Sequence, residues 1–128
     1  MGFNFKEAAK QAKSSSIIIG TRDKVKLEDL LFKYDNIVTI MGGDILPAYD
    51  KQSGEMTDFC AMICAEEPEK FFGVGIVLRR LFENWMNMCD GDIIALNEGL
   101  KNEGGVKLKI TKEPNKKGYL QWNYEVMD

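Results

Sequence analysis

Between Val106 and Val126 the chain repeats with a period of two. Val106, Leu108 and Ile110 alternate with Lys107, Lys109 and Thr111; after a Pro114–Gly118 turn, Leu120, Trp122, Tyr124 and Val126 alternate with Gln121, Asn123 and Glu125. Successive side chains of a strand point to opposite faces, so this pattern predicts a hairpin with one buried and one wet face. The preceding segments have the same β texture. Asn36–Asp50 reads as one long strand bent at a Gly42-Gly43 bulge. Asp50–Glu55 is a turn by composition, and Met56–Ala65 is apolar except for Asp58, as in a central strand covered on both faces. Lys70–Gly73 reads as a short third strand.

Helical spacing takes over next. Val74, Val77, Leu78, Leu81, Phe82, Trp85 and Met88 recur at intervals of three and four, while Arg79, Arg80, Glu83, Asn84 and Asn87 take the other side. Asp92 can cap a second short helix that ends at Gly104-Gly105. At the start, Phe3–Lys13 and Lys26–Lys33 read as short helices, separated by Ser14–Ser16. The fold class expected is α+β, mainly β with helices. Residues 1–33 form a helical N-terminal extension, and residues 34–128 form a five-stranded OB-like barrel with a helix between strands three and four. Both belong to a single domain. Small α+β folds with two hairpins around a helix give the same order.

Composition limits the chemistry. The 128 residues are 45% hydrophobic and 29% charged, enough for a core without staples. The longest runs without charge, such as Phe71–Leu78, have eight residues, and a membrane span needs about 20. Met1–Lys10 has no apolar secretory stretch, so a cytoplasmic protein is expected. Histidine is absent, which removes every imidazole triad and the commonest metal ligand. Cys60, Cys64 and Cys89 form no CxxC pair and read as small buried residues.

Three weaker motifs resolve to structure. Gly73-Val74-Gly75 opens a helix, but a dinucleotide loop would need glycine where Leu78 stands. Asp90-Gly91-Asp92 resembles a calcium loop, but Ile94 replaces an oxygen ligand. Glu66, Glu67 and Glu69 read as an exposed, solvated turn. No cofactor and no enzymatic activity are expected.

Charge is distributed unevenly. Residues 105–120 hold five lysines against Glu113 alone, and residues 1–33 hold seven basic against four acidic side chains. Residues 34–104 hold five basic against thirteen acidic. Local field, rather than the net charge of -3, governs where a polyanion docks. Lysines on an edge hairpin can equally serve to block aggregation. Basic groups interleave with rings at Tyr49 and Lys51, at Lys70 and Phe72, and at Lys116, Lys117 and Tyr119. Lys107, Lys109 and Lys112 extend the basic tract. Lysines neutralise phosphates and rings stack on unpaired bases, so these ten residues are the candidate single-strand interface. Trp85, Trp122 and Tyr124 read as core.

The whole-chain pattern resembles a group of small single-stranded DNA-binding proteins from phages and prophages of Gram-positive bacteria. The resemblance rests on Met1-Gly2-Phe3-Asn4-Phe5-Lys6 with its Ala/Lys helix and on the Lys70-Phe71-Phe72-Gly73 step into a helix. The Asp90-Gly91-Asp92 link, the Glu103-Gly104-Gly105-Val106-Lys107 lead-in to a strand and the Lys112–Gly118 turn add to it. It implies a non-enzymatic protein that binds single-stranded DNA with little sequence preference, in phage replication or recombination. A homodimer is a further expectation by fold analogy. The alternative is a phage-derived assembly protein whose barrel binds another protein, a role that seven adaptable methionines would suit.

Overall fold

The structure is a computed structural model and describes residues 16–127. The helix expected over Phe3–Lys13 lies outside the described residues. The elements run β1 (Asp23–Val25), α1 (Leu27–Lys33), β2 (Ile37–Tyr49), β3 (Met56–Cys64), β4 (Lys70–Val74), α2 (Ile76–Met88), α3 (Ile93–Asn102), β5 (Val106–Pro114) and β6 (Leu120–Val126). The α+β class, mainly β with helices, is what the alternation and the helical spacing predict.

The strands form one six-stranded mixed sheet in the order β1-β4-β3-β2-β5-β6. β2 is long enough to serve two neighbours. Ile37–Ile40 pair with β5, while Gly42–Tyr49 pair with β3. The register slips between Ile40 and Gly42, which places the bulge at Met41, immediately before the two glycines. The side chain of Asn97, from α3, clamps this bend. Its Oδ1 accepts from the Gly43 N–H at 2.9 Å, and its Nδ2 donates to the Gly43 carbonyl at 3.0 Å. A Cβ on Gly43 would lie 2.5 Å from the Ala61 carbonyl oxygen, so the β2–β3 crossing needs glycine there.

The expected five-stranded barrel is replaced by an open sheet with an added strand. Asp23–Val25 pairs in parallel with Lys70–Phe72, using the β4 edge that a closing strand would otherwise occupy. Among the described residues β6 pairs with β5 alone, which leaves β1 and β6 as the two edges. Three residues are too few to show an alternation, so the N-terminal region carries a strand where only helix was expected. Its second expected helix is present as α1. Asp35 and Asn36 end that helix with φ of 53° and 66°, and Asn36 Nδ2 donates to the Ile110 carbonyl at 2.9 Å.

The main core lies on one face of the sheet. Leu27, Leu30 and Leu31 of α1, Leu78 and Phe82 of α2, and Leu96 and Leu100 of α3 meet Val38, Ile40, Cys60, Met62, Phe72, Leu108 and Ile110. The helices contribute residues three or four apart and the strands contribute alternate ones, as one-sided burial requires. Asp92 caps α3 as expected, its Oδ1 accepting from the Ile94 and Ala95 N–H groups at 3.0 and 3.1 Å.

A second, smaller core covers the opposite face of β3 and β4. Ile19 is 3% exposed there against Ala61, Ile63 and Phe71, with Ile18, Leu46 and Phe59 at its margin. Ser16 fixes this segment by donating to Asp44 Oδ2 at 2.7 Å, and Arg22 Nε donates to the Pro68 carbonyl at 2.6 Å. Glu66 and Glu67 after β3 are also bound, in contrast to the solvated turn expected, whereas Glu69 is exposed. Glu66 accepts from Thr39 N–H and Oγ at 2.7 and 3.0 Å, and Glu67 pairs with Lys33 at 3.1 Å. No described helix is long and apolar enough to cross a membrane.

Candidate nucleic-acid interface

The hairpin's two faces separate its lysines. Leu108 and Ile110 point into the core, so Lys107 and Lys109 face the other way, with Lys109 in register with Glu125. Lys112 is two residues beyond Ile110 and returns to the core side, past the end of the packed region. It lies opposite Trp122, with its Nζ 4.9 Å from the centre of the indole. A cation at that distance over a ring is attracted by the negative π face.

Lys112 and Trp122 form one wall of an open cleft of about 590 Å³. The other wall is β1 and the start of α1, with Lys24, Val25, Lys26, Leu27 and Glu28, and Gly73 of β4 contributes between them. The cleft therefore marks the seam where the two ends of the open sheet approach without hydrogen bonding. Its charged lining is three lysines against one glutamate, a positive field beside an indole. A neighbouring hollow of about 410 Å³ shares Lys24, Val25 and Lys26 but adds Asp29, Lys33 and Glu67. There the Lys33 ammonium, hydrogen-bonded to Glu67, holds that carboxyl below its ordinary value, so the pair is internally neutralised.

The ten expected interface residues fall into six groups. Lys112 lines the cleft. Lys116, Lys117 and Tyr119 are exposed in the β5–β6 turn, where the Asn115 side chain accepts from the Lys117 and Tyr119 N–H groups at 2.9 and 3.0 Å. Tyr49 and Lys51 are exposed at the β2–β3 turn, and Lys107 and Lys109 occupy the opposite hairpin face. Lys70 is half-buried, with Nζ 3.6 Å from Asp23 Oδ2 on β1. Phe72 must be removed from the interface. It is 0% exposed in the main core, because Phe71 takes the outward direction and is itself covered by the Ile19 segment.

Lys24, Lys26 and Trp122 were not among the expected residues. Trp122 has the apolar periodicity of a core residue, and it does pack at the core margin. Its position opposite Lys112 could have been counted outward from the turn. Lys24 and Lys26 gave no such signal, since their role depends on the parallel β1–β4 pairing.

Among the described residues no group of three or more Cys, Asp or Glu could hold a metal ion. Burial pushes the Cys60 thiol up to about 12, which keeps it protonated at neutral pH. No protein-family model matches this chain, and no curated protein or solved structure is detectably similar to it.

Proposed function

We propose that this protein binds single-stranded DNA without catalysing a reaction and with little sequence preference. The observation that carries this reading is the cleft in which Lys112 lies over Trp122 opposite Lys24 and Lys26. Duplex DNA presents its bases edge-on and stacked, so a ring set inside the cleft has no base face to stack on. A flexible single strand can put an unpaired base on the ring while its phosphates reach the lysines. The exposed Lys116, Lys117 and Tyr119 continue the basic and aromatic lining beyond the cleft. An OB-like reading of the sheet is supported by the long, bent β2 shared between β3 and β5, and by the helices inserted between β4 and β5. The resemblance of the chain to phage and prophage single-strand binders is the reason for assigning it to phage replication or recombination.

The test is the triple variant Lys24→Ala/Lys26→Ala/Lys112→Ala. Each lost phosphate contact on a single strand lowers the slope of log K against log salt by roughly 0.7, so the expected loss is about 2. Binding by the wild type with an unchanged slope in the variant would place the DNA elsewhere.

A further inference from the structure

A small apolar hollow lies between α2 and α3 and shares no lining residue with the cleft. Trp85, Met88, Leu96 and Val106 line it, and its volume is about 150 Å³, room for one ring or one branched aliphatic side chain. Gly99 of α3 leaves it open. Glycine weakens a helix relative to alanine, so its place inside one needs a reason. Among the described residues the fold supplies none, because a Cβ on Gly99 would meet nothing within 4 Å. Met88 at the rim is 80% exposed, an apolar side chain left in water. The rim is also acidic. Glu103 lines the hollow, and Asp90 and Glu98 adjoin lining residues in sequence. Among the described residues none of these three forms an ion pair. Lys101 of α3 instead lines a separate hollow with Asn97 and Met41.

The complement of this surface is on the same chain. The turn after β5 carries exposed Lys116 and Lys117, and Leu120, which opens β6, is 67% exposed. This tip cannot fill the hollow of its own chain. Val106 begins β5 and Pro114 ends it, and nine residues of strand hold the two places roughly 25–30 Å apart. We propose that the hollow receives the hairpin tip of a second copy of this chain, with Leu120 seated over Gly99 and Lys116 and Lys117 against the acidic rim. The two surfaces differ, so each pair keeps one open hollow and one open tip, and the contact repeats head to tail into a row. It forms without DNA and does not rest on the single-strand reading.

Sedimentation velocity of the full chain without DNA, at low and high salt and over a range of concentrations, tests this. Association that grows with concentration and weakens with salt is expected. Gly99→Leu fills the hollow and Leu120→Asp spoils the tip, and each should weaken association by about 30-fold or more, as loss of an interface anchor does. Gly99→Leu should melt no earlier than the wild type, because leucine is the better helix former and enters open space, so its effect is not a loss of fold. An equal mixture of the two variants should give a two-chain species that grows no further, since the intact tip of one meets the intact hollow of the other. Glu98→Lys/Glu103→Lys should also weaken association, and mixing it with Lys116→Glu/Lys117→Glu should restore it. A wild type that sediments as a single chain throughout would overturn the proposal. So would association untouched by Gly99→Leu and Leu120→Asp, or a mixture of those two variants that forms no pair.

Discussion

Phe71 and Phe72 illustrate what a residue's neighbours decide. Adjacent strand positions must face opposite ways, and that much is legible from sequence. Which of the two is covered depends on what lies over each face, and here both faces are covered. The outer cover is Ile18 and Ile19, which lie more than 50 residues upstream in sequence. Cys60 shows the reverse case, a residue whose buried character was readable from the apolar run around it. Burial raises its thiol from an ordinary value of 9.0 to about 12. The unfolded chain then loses this proton at lower pH than the folded one. Stability linked to Cys60 is therefore complete below about pH 9 and is lost progressively as pH rises from 9.0 towards 12. The slope for one such thiol approaches 1.4 kcal/mol per pH unit. Urea unfolding of the wild type and of Cys60→Ala between pH 8 and 10 checks this. The wild type should lose stability more steeply with pH, and parallel curves would show that the buried thiol is not linked to folding.

At the scale of elements, the most legible pieces were those with strong periodicity. The hairpin, the α2 helix and the bend in β2 follow from residues that each obey a local rule. Asp92 caps α3 where its position indicates, and Gly105 closes that helix with φ of 84° where a Cβ would meet Met41, Thr39 and Ile40. β1 could not be read in the same way, because a three-residue parallel strand is specified by its partner β4 and not by its own pattern. The hairpin also shows that a run of lysines in sequence need not form one surface. Lys107 and Lys109 point away from Lys112 and from the cleft. Replacing both with Ala should leave the salt slope of oligonucleotide binding unchanged and alter folding stability by about 0.5 kcal/mol or less. A slope reduced by about 1.4 in that double variant would show that the DNA crosses the outer face of the hairpin.

At the scale of the whole molecule, the central feature is a sheet that stops short of closing. The N-terminal region adds β1 to the edge of β4, and the hairpin ends at β6, so the two ends of the sheet meet across a seam. Charge follows the same division. The acidic residues concentrate in the middle of the sequence, and Lys24 and Lys26 from one end meet Lys112 from the other at the cleft. An acidic chain thereby presents a basic opening, which net charge alone would conceal. The most direct measurement is a titration with a polythymidine single strand and with a duplex of equal length, each at several salt concentrations. The account predicts clear binding of the single strand that weakens linearly in log salt, with the duplex bound far more weakly at every concentration. Equal binding of both forms, or no single-strand binding even at low salt, would contradict it.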